Sequence, residues 1–263
     1  MNMKKILLFA LLFCLCASSS KAHALEVVSS SPFIRYDVEP KYESAIIMKR
    51  VIKSPMLIRN SWNYCADSIV FRDTNCKEGE AKYNRDFGIS VNLKSDSENT
   101  PKYCDFFHEL GHHVSYVVSS VAVNDGSRSV SDTYKSAKYD KTLTEMLRYE
   151  GNRYIRKLSR KTKSRKKAWK KLKKELRRYN AVYSNEVSDI WDGVSNGKAF
   201  AYGGHSLYGG KTSYWSTVSV GCEAFAEMYE ASIVNKRGLK LIRKYFPRSY
   251  NIFIEELRLL DKQ

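Results

Sequence analysis

A histidine–glutamate–histidine motif is the part of this sequence best suited to chemistry. The residues are His108, Glu109 and His112, with Leu110 and Gly111 completing the segment. On an α-helix, residues four positions apart project from the same face, so two imidazoles at this spacing can bind one Zn²⁺. Glu109 lies beside them, where its carboxylate can take a proton from an attacking water. The motif therefore predicts one catalytic Zn²⁺ with His108 and His112 as ligands and Glu109 as the general base.

A catalytic zinc site needs a third protein ligand and one position left open for water. The extended motif with a third histidine is absent, because Ser115 and Val118 stand where its glycine and last histidine would be. Glu223 is the favoured carboxylate ligand. Glu227, one helical turn later, is predicted to hydrogen-bond a liganding histidine. Glu186 is the alternative third ligand.

Two segments of the chain resemble the peptidase domain of the anthrax lethal factor family of secreted toxins. They read Phe106-Phe107-His108-Glu109-Leu110-Gly111-His112-His113 and Glu223-Ala224-Phe225-Ala226-Glu227-Met228-Tyr229. The resemblance implies an α+β fold of the zincin type and hydrolysis of peptide bonds. It also implies Zn²⁺ bound by His108, His112 and Glu223, with Glu109 as general base.

The chain departs from this family at the tyrosine that precedes the liganding glutamate. The family has a catalytic tyrosine seven residues before that glutamate, and Ser216 occupies the position here. Tyr214 is two residues away and is predicted to supply the hydroxyl that stabilises the oxyanion of the reaction. Tyr202, Tyr208 and His205 are the alternatives in the same stretch.

The elements that must position these residues are predicted from the spacing of apolar side chains. Phe106, Leu110, Val114 and Val117 follow a helical period, which places the motif on a long amphipathic helix. β-branched residues predict strands at 68–71 and 88–93, and the substrate is predicted to lie along the second strand. Further helices are predicted at 41–53, 222–234, 238–245 and 250–260. The predicted fold is α+β, a zincin-like metallopeptidase domain that is predominantly helical, with a small sheet and a basic helical insertion.

Positive charge is concentrated in one segment of the chain. The formal net charge is +17, and Arg153–Arg178 holds fifteen Lys or Arg and one acid, Glu175. Its apolar stripe, Trp169, Leu172, Leu176 and Tyr179, predicts a packed helix within an insertion at 124–183. The charged face is either simply solvated or attaches to an anionic surface. No signature of a nucleic-acid-reading fold is present, so no specific nucleic-acid partner is predicted.

The first 24 residues have the layout of a secretory signal peptide. A basic start at Met1 to Lys5 precedes an apolar run from Ile6 to Cys16. The small-residue pattern Ala22-His23-Ala24 then predicts cleavage near Ala24 and a secreted or periplasmic mature chain at 25–263. An uncleaved anchor is the alternative, although the apolar run is short for a bilayer-spanning helix. No transmembrane segment is predicted in the mature chain.

Four cysteines remain after this leader, an even number that favours disulfides in an exported protein. Cys65 and Cys76 are close in sequence and can close a small loop. Cys104 and Cys222 flank the two motif segments, so they can pair if those segments meet at a metal. The predicted linkages are Cys65–Cys76 and Cys104–Cys222.

The sequence as a whole predicts a secreted zinc metalloendopeptidase with a protein or peptide substrate. One alternative is a non-catalytic protein that binds anionic surfaces through its basic helices. The other is a toxin-like protein whose peptidase chemistry requires a partner. Fold resemblance alone does not identify the substrate.

Overall fold

Helices dominate the structure. The computed structural model describes residues 35–36, 44–65, 68, 70–71, 81–84, 88–91, 104–179, 181–199 and 214–262. Its helices are α1 (Ser44–Ile52), α2 (Met56–Cys65), α3 (Cys104–Val123), α4 (Val130–Thr133), α5 (Leu143–Thr162), α6 (Arg165–Leu176), α7 (Ala181–Ser195), α8 (Tyr214–Thr217), α9 (Val220–Ile233), α10 (Lys236–Tyr245) and α11 (Pro247–Leu257). A 3₁₀ turn at Leu260–Lys262 follows. The predominantly helical α+β architecture agrees with the predicted fold class.

The described strands form one four-stranded sheet. They are β1 (Arg35–Tyr36), β2 (Val70–Phe71), β3 (Ala81–Asn84) and β4 (Gly88–Val91), in the order β1-β2-β4-β3. β1, β2 and β4 run parallel, and β3 pairs antiparallel with β4. The sequence prediction missed β3, because Ala-Lys-Tyr-Asn has no β-branched residue to mark it. β4 therefore lies between β2 and β3, and the two edges of the sheet as described are β1 and β3.

The long helix α3, which carries the histidine motif, packs antiparallel against α9. Cys104 at the start of α3 hydrogen-bonds Glu230 near the end of α9, whereas His112 contacts Cys222 at the start of α9. A Cβ atom on Gly111 would lie 2.6 Å from the Ala226 Cα atom. Only glycine therefore permits this close approach of the two backbones. All fourteen residues of α9 are buried, so the helix runs through the interior.

The predicted disulfide between Cys104 and Cys222 is wrong, since both are buried free thiols in the structure. The antiparallel packing explains the error. Cys222 contacts His112, which is two helical turns or roughly 12 Å along α3 from Cys104. A disulfide requires Cα atoms within about 7 Å. Cys65 is also a buried free thiol, and its predicted partner Cys76 lies outside the described residues.

The basic segment folds as a helical hairpin of α5 and α6 that packs on the rest of the molecule. A capping box begins α5, in which Glu145 and Thr142 satisfy each other's backbone N–H groups. In α6, Leu172 and Leu176 are buried, and the Trp169 ring lies edge-on to Trp191 of α7. Apolar side chains of this hairpin belong to the same core cluster as those of α3 and α9. The predicted insertion therefore contributes to the main core.

The predicted division into a leader at 1–24 and a domain at 25–263 stays a prediction. Residues 1–34 lie outside the described part of the chain. Among the helices that are described, none has both the length and the apolar character needed to span a membrane.

Candidate metal centre

Three side-chain atoms from α3 and α9 converge on one point. The Nε2 atoms of His108 and His112 are 3.2 Å apart. Glu223 Oε2 lies 3.4 Å from His108 Nε2 and 3.5 Å from His112 Nε2. The three residues thus form a group that could hold a metal ion, as the sequence predicts for their positions.

The spacing of these atoms fits tetrahedral coordination of zinc. Zinc–ligand bonds of about 2.0–2.1 Å at tetrahedral angles place neighbouring ligand atoms about 3.3–3.4 Å apart. The three observed separations of 3.2, 3.4 and 3.5 Å bracket this value. Two neutral imidazoles and one carboxylate are also a ligand set that catalytic zinc sites use. The described residues of this group supply three ligands, which leaves a fourth tetrahedral position for water or substrate.

Glu223 owes its position to the way α9 begins. Ser219 is the N-cap of α9, and its hydroxyl accepts a hydrogen bond from the Gly221 backbone N–H. The same hydroxyl donates to Asp132 of α4 at 2.7 Å. Thr144 of α5 also donates to Asp132. This network fixes the first turn of α9, and with it the carboxylate of Glu223, relative to α4 and α5.

The outer nitrogen of His108 faces two buried carboxylates on α9. His108 Nδ1 lies 3.5 Å from Glu227 Oε1 and 3.6 Å from Glu230 Oε2. Glu227 therefore lies at ion-pair distance from a candidate ligand, and the hydrogen bond predicted between them stays a prediction. Sequence reasoning missed Glu230, although its position three residues after Glu227 puts it on the same face of α9. A carboxylate on the outer nitrogen fixes the tautomer and orientation of a liganding histidine.

The outer nitrogen of His112 has a different neighbour, the thiol of Cys222. The Cys222 Sγ atom is 3.3 Å from His112 Nδ1. The ring of Tyr83 on β3 also stacks against the His112 ring, with centroids 6.4 Å apart. The two candidate histidine ligands are thus supported differently, one by carboxylates and the other by sulfur and an aromatic ring.

The electrostatic environment follows from burial and from the density of acids. Burial opposes the charged form of His108, but nearby glutamates, Glu227 foremost, raise its pKa well above the usual value. For His112, Glu223 and Cys222 likewise outweigh burial and raise the pKa. Burial raises the pKa of Glu109, against the lowering effect of the two histidines. Glu109 is only 8% exposed and follows His108 directly on α3. A carboxylate with a raised pKa is a better proton acceptor.

Tyr214 lies at the cluster, as the sequence predicts. Its hydroxyl donates to Glu223 Oε1 at 2.7 Å, while Glu223 Oε2 faces the histidines. The tyrosine therefore orients the candidate carboxylate ligand in this structure. The alternatives Tyr202, Tyr208 and His205 lie outside the described residues.

Glu186, the alternative third ligand, is not in the converging group. It lies on α7, where Asn235 Nδ2 donates to its Oε1 atom at 2.7 Å. Glu186 and Asp189 of α7 are buried, as is Glu227 of α9. Burial raises the pKa of each of these three carboxyls well above its usual range. The interior between α3, α7 and α9 is therefore rich in acids.

The strand that is predicted to align a substrate lies inside the described sheet and not at its edge. Residues 88–91 form β4, which lies between β2 and β3 in the described sheet, and residues 92–93 lie outside the described part of the chain. The alignment of a substrate along 88–93 stays a prediction. β3 is one edge of the described sheet, and β1 is the other. Tyr83 of β3 joins this strand to the motif helix, because its hydroxyl lies 3.3 Å from His113 Nδ1. The edge strand thus runs beside the candidate metal ligands.

No protein-family model, curated protein or solved structure matches this chain. The geometry of the described residues therefore carries the functional inference. The resemblance to the lethal factor family stays a prediction from sequence.

Proposed function

We propose that this protein is a zinc-dependent metallopeptidase with His108, His112 and Glu223 as its metal ligands. The observation that supports this most directly is the triangle of three ligand atoms with tetrahedral spacing. A second support is the outer contact of His108 with Glu227, of the kind that orients liganding histidines. The zincin-type identity of the fold and the choice of zinc over other metals are parts of the same proposal.

Zinc bound at this site supplies Lewis acidity, which polarises a peptide carbonyl and lowers the pKa of water. Glu109 takes the proton of the attacking water on its carboxylate and passes it to the nitrogen of the leaving amine. Burial raises the pKa of Glu109 toward the operating pH, where a carboxyl group can both accept the proton from water and donate it to the amine. His108 and His112 keep their rings fixed during this transfer through Glu227, Glu230 and Cys222.

The substrate in this proposal is an extended protein or peptide segment. We propose that such a segment adds as a further strand beside β3, which lies at an edge of the described sheet next to the motif helix. Tyr214 has its hydroxyl on Glu223 Oε1 and needs to leave that bond to donate to the oxyanion. Until then it holds the Glu223 carboxylate in its liganding orientation. We also propose, from the pattern of residues 1–24, that the enzyme acts outside the cytoplasm.

The decisive experiment compares the wild type with Glu109→Gln. Zinc content and cleavage of an unfolded protein such as denatured casein are measured on the same preparations. Both proteins are expected to hold one zinc per chain, because Glu109 is not a ligand. Cleavage by the variant is expected to fall by about 10²–10⁴-fold, the usual contribution of a general base. Glu255→Gln on α11, away from the site, is the matched control and keeps full activity.

The outcomes separate the proposal from its alternatives. If the wild type binds no zinc, the proposed metal site is wrong. If the wild type binds zinc but cleaves neither denatured casein nor a random peptide library, the protein is a binding protein or requires a partner. If Glu109→Gln cleaves as fast as the wild type, Glu109 is not the base.

A further inference from the structure

The outer surface of the α5–α6 hairpin is almost uniformly basic. Fourteen of the fifteen Lys and Arg residues between Arg153 and Arg178 are exposed, and the remaining one, Lys173, is partly buried. The apolar side chains of α6, namely Ala168, Leu172 and Leu176, are fully buried. Between Arg153 and Arg178, the hairpin is therefore amphipathic, and the exposed charged side chains of this stretch are all basic. Such a face repels itself and costs stability unless a counter-charge is present.

The structure extends this surface to α10, a helix that the sequence analysis predicts but does not connect with the basic segment. Helix α10 and the residue after Pro247 expose Lys236, Arg237, Lys240, Arg243, Lys244 and Arg248. No acid occurs between Glu230 and Glu255 in the sequence. In the sequence, these six basic residues are separated from the Arg153–Arg178 segment by more than fifty residues. In the structure, the two groups adjoin.

Glu175, the only acid of the segment, connects the three helices. Its Oε1 atom accepts hydrogen bonds from Tyr245 at 2.6 Å and from Lys244 at 3.2 Å, both on α10. Its Oε2 atom accepts from Tyr154 of α5 at 3.1 Å. Lys244 also donates to Tyr179 at 2.9 Å. The acid is thus occupied with joining α5, α6 and α10, and it leaves the outward charge of the joined surface positive.

We propose that the joined basic surface of α5, α6 and α10 binds the anionic face of a lipid membrane. Each helix is about 10 Å wide, so three helices form a broad face rather than a narrow groove. Polybasic surfaces of this kind are attracted to anionic lipids without inserting. Attachment through such a face is peripheral, because its exposed lysines and arginines stay among the lipid head groups. This inference does not depend on the metal site.

The side chains on the surface favour a lipid plane over nucleic acid. Single-stranded nucleic acid is bound by exposed aromatic rings on which bases stack. The large apolar side chains exposed in the described chain are Ile52, Met56, Tyr64 and Tyr149, all outside Arg153–Arg178 and α10. Asn and Gln, which read adenine in the major groove, are absent from α6 and α10. Lys predominates in α6, as a point charge without directional preference.

The test is sedimentation with vesicles of phosphatidylcholine alone or with phosphatidylserine replacing about a third of it. The wild type is expected to bind the mixed vesicles and to leave the neutral ones unbound. The surface variant carries Lys166→Gln, Lys170→Gln, Lys174→Gln and Lys240→Gln. Each charge near the membrane contributes to binding, so four removals are expected to lower the partition coefficient by roughly a hundredfold or more.

A charge-matched variant controls for net charge alone. It carries Lys49→Gln, Lys53→Gln, Lys135→Gln and Lys262→Gln, all exposed and all outside the basic surface. This variant is expected to bind within about threefold of the wild type, because these charges lie away from the contact. Circular dichroism of both variants confirms that the helices are intact. Binding of the wild type is expected to weaken steeply as salt is raised.

Three results overturn the inference. One is equal loss of binding in the two variants, which means that net charge and not this surface is responsible. The second is binding to neutral vesicles as strong as to the mixed vesicles. The third is displacement of the wild type from the mixed vesicles, at the same salt, by duplex DNA at a concentration far below that of the lipid. That result assigns the surface to nucleic acid.

Discussion

The interior around α9 and the outer face of α5, α6 and α10 carry opposite charges in opposite environments. The interior collects carboxyl groups from α3, α7 and α9, nearly all of them removed from water. The outer face collects lysines and arginines that remain in water. Solvated charges cost little, whereas a buried carboxyl without a partner is expensive. The buried acids thus require a reason to be present, and the facing histidines provide one.

Glutamate itself behaves differently in the two regions. Burial raises the pKa of Glu227 well above its usual value, in spite of the lowering effect of His108. Glu175 shows the reverse: burial opposes ionisation, but hydrogen bonds from Tyr245, Lys244 and Tyr154 prevail and lower its pKa. Glu227 needs a proton or a nearby cation to be stable in the interior, whereas the charge of Glu175 is already balanced by Lys244 and by hydrogen bonds from the two tyrosines. The surroundings of a residue therefore decide its role.

Gly111→Ala is expected to disrupt the packing of α3 against α9, and of the substitutions considered it should lower stability the most. The new methyl group meets backbone of α9 at 2.6 Å, so α3 and α9 must separate and carry the histidines away from Glu223. The free energy of unfolding is expected to fall by about 3 kcal/mol, at the upper end for overpacking. Urea denaturation measures the stability, and competition with a chelator measures zinc affinity, which should also fall.

Gly151→Ala is the control for this prediction. It introduces a methyl group against Val194 where α5 meets α7, away from the candidate ligands. It should lower stability and leave the affinity of the folded protein for zinc unchanged. An equal loss of zinc affinity in both variants would mean that the helix contact at Gly111 has no special role in assembling the site.

Glu227→Gln sharpens the comparison by removing one interior charge and keeping its shape. His108 Nδ1 loses a charged acceptor at 3.5 Å. Loss of such an outer contact typically lowers metal affinity about 10–100-fold, which corresponds to about 1.4–2.7 kcal/mol. Isothermal titration with Zn²⁺ measures the change. Glu256→Gln is the control, since Glu256 of α11 is equally buried but has no histidine beside it. Unchanged affinity in Glu227→Gln would remove Glu227 from the proposal.

Glu175→Gln tests the basic region and has the smallest expected effect. The lowered pKa means that the ionised form stabilises the folded state at neutral pH. This contribution is lost as the pH falls below the usual glutamate range and through the lowered folded pKa. Lys244 is 49% exposed, so solvent screening limits the loss in the variant to about 0.5–1 kcal/mol at neutral pH. Urea denaturation at neutral pH and near pH 3 should show a difference that shrinks in acid. A difference that persists in acid would refute the electrostatic explanation.

The centre of the site could be predicted because its information is local. His108 and His112 are one helical turn apart, and Glu223 and Glu227 repeat that spacing, so two short segments define the chemistry. The direction in which the two helices pack is not local information. The error over Cys104 and Cys222 and the omission of Glu230 both arise from it.

Two further features, the edge position of β3 and the contact of α10 with the basic hairpin, depend on tertiary packing and could not be predicted from the sequence. The edge position of β3 depends on which strand pairs with β4, and no pattern in Ala81–Asn84 reveals this. The contact between α10 and the basic hairpin depends on Glu175. Nothing in the sequence around this single acid predicts that it bonds to α10. Short-range spacing predicts α10 but misses β3, and in both cases long-range contacts determine how the element is used.

The contact between α3 and α9 also closes a very large loop of the chain. His112 and Cys222, which touch across it, are 110 residues apart. An ion shared by ligands on both helices acts as a cross-link across that loop, with an entropic effect on the unfolded chain similar to that of a disulfide. For a loop of this size, such a link is worth about 4–5 kcal/mol in the chain-entropy model. The proposed zinc would therefore stabilise the fold as a cross-link, in a chain whose described cysteines form no disulfide. Removing it with a chelator is expected to make the protein markedly more sensitive to digestion by an added protease.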